Sequence, residues 1–256
     1  MKKYFLFFTA VLFYVPDCLI AAPVDLPIGF SQEIRDDNNF SFAIESDYIK
    51  KIELKKLDGE IKGTIESIKG VYSAPNSCLD IYVNLGQLKD AEYKFTSGNN
   101  VTLIFDDQFT FGAGINSVFN WDEMEEILGA SIFFDAKIRR IEDIGYSSVS
   151  VNGVSYSEGS FSNTADAKWT EQQLAIGLVK KLKYATIYGG TKYTSARATA
   201  KISVAGTTYD LSERNKKDKK FGGFIGVRIP FKNIKIDFEG RFADEKAFNF
   251  NIIFNF

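Results

Sequence analysis

Carboxylates are the side chains of this sequence with the clearest capacity for chemistry. They form three groups, Asp36-Asp37, Asp106-Asp107, and Glu123 with Glu125-Glu126. Carboxylate oxygens are the ligands that Ca²⁺ prefers, but no group has the spacing of an EF-hand loop. Asp106-Asp107 comes just before an alternating segment, where capping of a loop is the simpler interpretation. We therefore predict no metal site and no cofactor.

Nucleophilic chemistry is limited by the absence of one residue type. The chain contains no histidine. This removes Ser-His-Asp and Cys-His sites and the usual sets of zinc ligands. Gly112–Gly114 and Gly189-Gly190 lie inside alternating segments rather than between a strand and a helix, so they do not indicate phosphate binding. We predict a protein without enzymatic activity.

The N-terminus has the features of a secretory signal peptide. Lys2-Lys3 precede an apolar stretch from Tyr4 to Val15, and the small residues Ala21-Ala22 follow. That stretch is too short to span a bilayer, and no run of eighteen apolar residues follows it. We expect a signal peptide over 1–22, a periplasmic N-terminal segment over 23–38, and one domain over 39–256. Cys78 would then be the one cysteine left, which precludes an intramolecular disulfide.

The balance of charge bears on partners. The chain has 31 basic and 33 acidic residues, and no basic stripe stands out. Nucleic acid is therefore not an expected partner.

The C-terminal residues alternate between two kinds of side chain. Period two is typical of a β-strand with one apolar and one polar face. In a closed barrel such an apolar row forms the wall that faces lipid, whereas in water it would aggregate. The last strand of a soluble sandwich is the alternative. The row consists of Phe248, Phe250, Ile252, Phe254 and Phe256.

Ten segments show period two between turn residues. They are residues 39–50, 65–74, 78–88, 108–119, 127–140, 169–181, 184–195, 220–231, 234–243 and 247–256. Short connections (75–77, 121–126, 182–183, 232–233) alternate with long ones (51–64, 89–107, 141–168, 196–219), with 244–246 as a short exception. Short periplasmic turns and long external loops are typical of outer-membrane barrels. We predict an all-β fold, a closed antiparallel up-and-down transmembrane β-barrel of about ten strands, with eight as the alternative.

The turn at Lys232-Asn233 fixes a register for the last three strands. A two-residue hairpin turn pairs the residues on either side of it, and a three-residue loop at 244–246 would continue the pattern. The expected pairs are Phe231–Ile234, Ile229–Ile236, Arg228–Asp237, Gly226–Glu239, Phe242–Phe248 and Phe238–Ile252, with Gly240 between Ile225 and Phe250.

The parity opposite to the apolar one carries charge. A charged side chain facing lipid at mid-membrane costs roughly 2–4 kcal/mol, so these groups should face the lumen. There they should be paired, because buried charges need partners. A narrow lumen filled by ion pairs is the first interpretation, and a polar path for ions is the alternative. The expected set is Asp80, Asp135, Lys137, Arg139, Arg228, Lys235, Asp237, Glu239 and Arg241.

Two features concern the membrane surface. The run from Glu213 to Lys220 is basic. A solvated loop is the first interpretation, and contact with the phosphates of lipopolysaccharide is the alternative. Trp121, Trp169, Tyr184 and Tyr188 suit the aromatic belts of a membrane protein. For Tyr188, packing in a core is an equal alternative.

The strand-and-turn pattern resembles a known family. The segments Ala175–Val179, Ile187–Tyr193, Gly222–Arg228 and Ile236–Phe242 are similar to the small outer-membrane β-barrels of the opacity-protein and outer-membrane-protein-A type. The strand that ends the chain also resembles the C-terminal assembly signal of bacterial outer-membrane barrels. The resemblance implies a location in the cell outer membrane, contact with outer-membrane lipid, and assembly by the barrel-assembly machinery.

Three functions follow as expectations. The first is a non-enzymatic integral outer-membrane barrel with a structural or surface-exposed role and a narrow lumen filled by charge. The second is a small porin-like channel for ions or small solutes. The third is a soluble periplasmic barrel of lipocalin type, which would need an apolar interior and a polar exterior.

Overall fold

A computed structural model describes most of the chain after residue 39. The described residues are 40–54, 59–74, 79–96, 99–119, 126–142, 144–157, 161–163, 168–199, 201–204, 207–210, 212–214 and 220–255. The expected signal peptide and periplasmic segment lie outside these ranges, as do Trp121, Cys78 and Phe256.

The described residues form β-strands almost throughout. In chain order the strands are β1 (Phe40–Glu53), β2 (Glu60–Ser73), β3 (Leu79–Thr96), β4 (Asn100–Phe105), β5 (Gln108–Phe119), β6 (Ser131–Ile141), β7 (Tyr146–Val151), β8 (Val154–Ser157), β9 (Phe161–Asn163), β10 (Lys168–Lys181), β11 (Thr186–Thr199), β12 (Lys201–Val204), β13 (Thr207–Asp210), β14 (Glu213–Arg214), β15 (Phe221–Phe231), β16 (Ile234–Phe242) and β17 (Glu245–Asn255). Within these ranges, no helix reaches the length and apolar character that crossing a membrane would require.

Ten of the strands close into one antiparallel barrel. The circuit runs β1, β2, β3, β5, β6, β10, β11, β15, β16 and β17, and β17 pairs with β1 to close it. Each strand therefore pairs with its neighbours in the chain, apart from the short strands inserted between them. The predicted closed up-and-down barrel is confirmed, with ten strands rather than eight.

The three longest connecting segments lie at the same end of the barrel. Ser41 pairs with Asn255, so β1 begins and β17 ends at one end, here called the termini end. The four connections at this end lie at 74–78, 120–130, 182–185 and 232–233. The other end, here called the loop end, carries the connections 54–59, 142–167, 200–220 and 243–244, together with the segment 89–107, which includes β4 and the part of β3 that does not pair with β5. The predicted sorting is confirmed for the three longest loops.

Two predicted boundaries are wrong for local reasons. The connection predicted at 51–64 is only 54–59, because β1 and β2 continue past a β-bulge between Ile49 and Ile52. A bulge shifts the parity of side chains, so the period-two pattern is lost there. The strand predicted from residue 127 begins at Ser131, after one helical turn at 126–128 and Gly129 at φ 57°.

The loop end carries additional sheet. β4 pairs with the upper part of β3 and with β7, and β7 forms a hairpin with β8. The hairpin turns at Asn152 (φ 50°) and Gly153 (φ 82°), which have the positive φ values of a type I′ turn. β9, β12 and β13 form a separate three-stranded sheet.

The register of β15 with β16 is the predicted one. Phe231 pairs with Ile234 and Arg228 with Asp237, and Gly240 lies opposite Ile225. The register of β16 with β17 differs by two residues, because the turn is only Ala243-Asp244 and Glu245 already belongs to β17. Phe238 therefore pairs with Phe250, and Gly240 with Phe248 rather than Phe250. A shift by two preserves the parity, so the predicted inward and outward faces remain unchanged.

Candidate functional site

The inward faces of the barrel strands hold the candidate site. On β16, Lys235, Asp237, Glu239 and Arg241 are buried, and the residues between them form the outer wall. β6 alternates in the same way. All nine charged residues expected inside are buried, each with at most 9% of its surface exposed: Asp80, Asp135, Lys137, Arg139, Arg228, Lys235, Asp237, Glu239 and Arg241.

The structure adds further charged residues to this interior. They are Glu45, Asp47, Lys69, Glu171, Lys192, Asp244 and Glu245. Glu45 and Asp47 alternate with Ile44 and Tyr48, a period-two signal that could have identified them. Asp244 and Glu245 were expected in a loop outside the barrel. They are buried because the short turn directs both side chains back over the lumen.

Arg228 and Asp237 form a closed pair at the termini end. Arg228 Nε donates to Asp237 Oδ1 at 2.7 Å, and Arg228 Nη2 donates to Oδ2 at 2.6 Å. Two parallel bonds between a guanidinium and a carboxylate give the strongest and most directional ion-pair geometry. The cross-strand register of β15 and β16 positions them, as the sequence predicts.

Asp47 is the centre of a second group that crosses the lumen. Its carboxylate accepts from Arg139 Nη1 at 3.0 Å and from Arg241, which approach from β6 and β16. Arg139 also donates through Nε to Glu171 on β10. Since β1 and β6 are not neighbours in the barrel, these bonds connect opposite parts of the wall.

Lys192 continues this group toward the loop end. Its ammonium contacts Asp244 Oδ2 at 2.9 Å and also donates to Glu245. Thr194 donates to the same Asp244 oxygen, and Arg241 Nε lies 2.9 Å from Glu245. Gly222 makes the arrangement possible, because a Cβ there would lie 1.8 Å from Asp244 Oδ1.

Smaller contacts fill the middle of the lumen. Lys69 donates to Glu45 at 2.5 Å, and Asp135 accepts from the Tyr82 hydroxyl at 2.7 Å. Tyr82 lies over Gly114, where a Cβ would come within 2.3 Å of the ring. A gap lined by Glu45, Ser67, Thr110, Lys137 and Arg139 has room for about one water molecule.

Two apolar clusters share the interior with the ion pairs. At the loop end, inward residues of the barrel strands pack against β4 and β7. This cluster, with residues from both the barrel strands and β4 and β7, includes Ile49, Leu88, Tyr93, Leu103, Tyr146, Val149 and Trp169. Nearer the termini end, Phe133, Tyr188 and Phe224 pack ring to ring with Val118 and Val179. Trp169 and Tyr188 therefore belong to the interior, and the prediction of Trp169 in an aromatic belt is wrong.

The outer wall is the reverse of the interior. No outward side chain is charged along the described segments 40–48, 68–72, 79–85, 109–119, 132–138, 174–178, 187–193, 221–231, 234–242 and 248–254. Aromatic side chains stand at both margins of this wall. Phe40, Tyr72, Phe119 and Phe231 lie toward the termini end, and Tyr48, Phe109, Phe221, Phe242 and Phe248 lie toward the loop end. Tyr184, at a termini-end turn, is 73% exposed, as the belt prediction expects.

One titratable group above this wall has an unusual environment. Tyr146, on β7, packs in the loop-end cluster against Phe105 with ring centroids 5.1 Å apart. Burial favours the neutral phenol over the phenolate and raises the pKa of Tyr146 to about 12.

Known proteins give a limited comparison. No family model and no curated protein matches the sequence. Solved barrels resemble it weakly. The translocator domain of the autotransporter NalP from Neisseria meningitidis is 10% identical, with 86% of this chain and 90% of that chain covered and a TM-score of 0.44. An outer membrane channel from Pseudomonas putida F1 is 9% identical, with 91% and 100% covered and a TM-score of 0.43. Acinetobacter baumannii outer membrane protein Omp33 is 10% identical, with 86% and 98% covered and a TM-score of 0.31.

These TM-scores are below 0.5, too low to indicate a shared function. The chemistry of the site is therefore inferred from the chain's own geometry. The lumen consists of ion pairs between strands and of apolar clusters. Across the ranges that the structure describes, no three acidic or cysteine side chains converge as metal ligands. The arrangement can fix the barrel's shape, and it holds its charges away from the outer wall.

Proposed function

We propose that this chain is an integral outer-membrane β-barrel with an occluded, charge-filled lumen. One observation carries the proposal. The described outer wall lacks charge over a continuous band, while sixteen charged side chains are buried inside. In water this distribution would expose a large apolar surface and would bury charges without benefit. In lipid it is the distribution that a spanning barrel requires.

The sorting of the connections supports an orientation. Bacterial outer-membrane barrels have short periplasmic turns and longer extracellular loops. The termini end would therefore face the periplasm, and the loop end, with β4, β7 and β8, would face outward. A role at the cell surface would then belong to the loop end.

The occlusion favours a structural or surface-exposed role over conduction. Eight strands leave an interior just wide enough for side chains, whereas sixteen or more leave a water channel. Ten strands stand near the narrow limit, and one apolar cluster fills the lumen at the loop end while another fills it nearer the termini end. A porin-like channel for small ions is the second candidate, and the observation in its favour is the charged lining.

The interior argues against a lipocalin-like carrier. Such a barrel binds its ligand in an apolar cavity and exposes a polar exterior. The inward faces of β6 and β16 carry charge, and their outward faces are apolar. We also expect no enzymatic activity, since the ion pairs occupy the lumen and no nucleophile-base pair is formed among them.

Several finer points are part of the proposal. Membership of the opacity-protein and outer-membrane-protein-A type rests on the strand-and-turn resemblance alone. The proposed partners are outer-membrane lipid, lipopolysaccharide, and the barrel-assembly machinery through the apolar face of β17. The basic run 213–220 is largely outside the described residues, so contact with lipopolysaccharide phosphates there stays a prediction.

Fractionation of the full chain produced in a Gram-negative bacterium tests the location. We expect it in the outer-membrane fraction, with a different gel mobility before and after heating because a closed barrel resists detergent. A freely soluble periplasmic protein with one mobility would contradict the proposal and would favour the lipocalin alternative.

Planar-bilayer recording separates the occluded barrel from the channel. The purified protein should give no steady conductance. An Asp47→Ala variant, which removes one of the carboxylates that Arg139 and Arg241 contact, provides a comparison with a loosened lumen. Steady single-channel steps from the unmodified chain would favour the channel.

A further inference from the structure

The buried charges of the barrel do not balance. Among the described side chains, nine carboxylates and seven cations are buried. Four of each form a neutral set: Glu45, Asp80, Asp135 and Asp237 with Lys69, Lys137, Arg228 and Lys235. The remaining residues are Asp47, Glu171, Glu239, Asp244 and Glu245 with Arg139, Lys192 and Arg241. This second set, here called the acidic cluster, has two more carboxylates than cations.

The carboxylates of the acidic cluster differ in the cations that they contact. Asp47 accepts from two arginines, and Glu245 contacts Lys192 and Arg241. Asp244 contacts Lys192 and accepts from Thr194. Glu171 contacts Arg139, and that guanidinium also serves Asp47. Glu171 therefore contacts a single cation, which it shares with Asp47, and it lacks a hydroxyl donor such as the one that Thr194 gives to Asp244.

The second oxygen of Glu171 points to what completes the site. Oε1 accepts no hydrogen bond from the residues that the structure describes, and water has little access to it because Glu171 is only 1% exposed. Glu245 and Asp47 lie near enough to repel a negative charge on Glu171, and Arg139 is the cation that opposes them. The other two cations of the cluster contact other carboxylates: Lys192 contacts Glu245, and Arg241 contacts Asp47. Asp244 and Glu239, which lies near Arg241, add further negative charge.

Two occupants could neutralise this position, a proton or a metal cation. A cation requires several oxygen ligands around one point, and the described residues form no such group. A buried carboxylate without full compensation takes up a proton instead. A proton on Oε1 removes one of the two excess negative charges and gives this oxygen a hydrogen that it can donate.

We propose that the acidic cluster is a proton-binding site and that Glu171 holds its proton at neutral pH. The inference depends on the closed lumen and not on the membrane in which the barrel lies. The cluster then binds a proton inside the barrel and releases it as pH rises. Its cohesion weakens as pH rises, because removal of the proton from Glu171 restores repulsion with Asp47 and Glu245.

Glu171→Gln tests the proposal, because glutamine mimics the protonated acid in shape and charge. Asp47→Asn is the matched control, since it neutralises a carboxylate that two arginines need. The measurement is the urea midpoint of unfolding of the full barrel in detergent between pH 6 and pH 9. We expect the midpoint of the Glu171→Gln variant to equal or exceed that of the unmodified chain, with a difference that grows as pH rises. The midpoint of the Asp47→Asn variant should be lower at every pH.

Infrared difference spectroscopy gives a direct second readout. The unmodified barrel should show a protonated-carboxyl band at pH 7 that Glu171→Gln removes and Asp47→Asn does not. Failure of Glu171→Gln to fold, a midpoint loss as large as that of Asp47→Asn, or an unchanged band would overturn the proposal. Stabilisation by Na⁺, K⁺ or Ca²⁺ over choline at equal ionic strength, abolished by Glu171→Gln, would instead identify a cation as the occupant.

Discussion

Single residues determine whether the large and charged side chains inside this barrel can be packed. Arg228 and Asp237 contact each other through two hydrogen bonds, and both side chains are buried. Glycines beneath Tyr82, Tyr188 and Asp244 supply the space for large inward side chains. Ion pairs and glycines thus act together, because each buried charge needs both a partner and room.

The Arg228–Asp237 pair should be strongly coupled. Replacing one partner leaves the other charge buried and unpaired, which costs on the order of 3–5 kcal/mol at the upper end, against about 0–1 kcal/mol for a surface pair. Asp237→Ala and Arg228→Ala should each lower the free energy of unfolding. The double variant should lose less than the sum, which a double-mutant cycle in urea measures. Additive losses would show that the two side chains do not interact.

Gly226 should not tolerate a side chain. A Cβ at this inward position would lie 2.2 Å from the Tyr188 ring, which is packed against Phe133 and Phe224. Gly226→Ala should therefore cost about 1–3 kcal/mol through overpacking. Gly240→Ala is the control, because no atom lies within 4 Å of a Cβ there. Thermal unfolding of both variants decides the matter, and equal melting temperatures would contradict the packing described for Tyr188.

Tyr146 should make the loop-end cluster sensitive to alkaline pH. Its folded pKa is raised, so its contribution to stability is complete below pH 10 and is lost as pH rises toward 12. Tyr146→Phe cannot ionise and should reduce the loss of stability between pH 10 and pH 12. Tyr156→Phe, at a 40% exposed position on β8, is the control. If both variants lose stability as the unmodified protein does, Tyr146 is not the group responsible.

Strands are the scale at which the sequence was most informative. Alternation at Phe248–Phe254 and Ile234–Phe242 predicts which face lies outside, because side chains alternate within a strand whatever its register with the next strand. The two-residue turn at Lys232-Asn233 predicts a register that the structure confirms. The turn at Ala243-Asp244 is shorter than expected, which shifts the next register by two and places Glu245 inside.

Partners across the lumen are beyond such reasoning. Asp47 and Arg139 are 92 residues apart, and they meet because of the barrel's curvature. The alternation within each strand indicates that Asp47 and Arg139 point inward. Whether they lie at the same level of the barrel depends on the register of every pair of strands between them. For the same reason the apolar packing of β4 and β7 over the loop end could not be predicted.

A charged side chain should destabilise the barrel when it lies on the outer wall but not when it lies on a strand at the loop end. Ile225 is 65% exposed in the middle of the wall on β15, and Ile104 is 44% exposed on β4 beyond it. Ile225→Arg should destabilise the barrel in lipid vesicles by about 2–4 kcal/mol, whereas a position outside the bilayer carries no such cost. Ile104→Arg is the matched control. Equal stability of the two variants in vesicles would argue against lipid at Ile225.

At the scale of the whole molecule, one circuit of ten strands accounts for both surfaces. Closure pairs β1 with β17 and so leaves the barrel itself without an exposed edge, as a lipid environment requires. The charges that would be costly outside are gathered inside, where they connect strands that are far apart in the chain. The central claim is therefore an inverted distribution, with lipid outside the wall and ion pairs within it.

Spin-label accessibility along β16 tests this claim most directly. Single cysteines at positions 234–242, in a Cys78→Ser background and in lipid vesicles, report collisions with oxygen, which dissolves in lipid, and with a polar nickel complex. We predict oxygen accessibility with period two, high at 236 and 238 and low for both reagents at 237 and 239. High accessibility of 236 and 238 to the nickel complex would place water on the outer wall and would contradict the account.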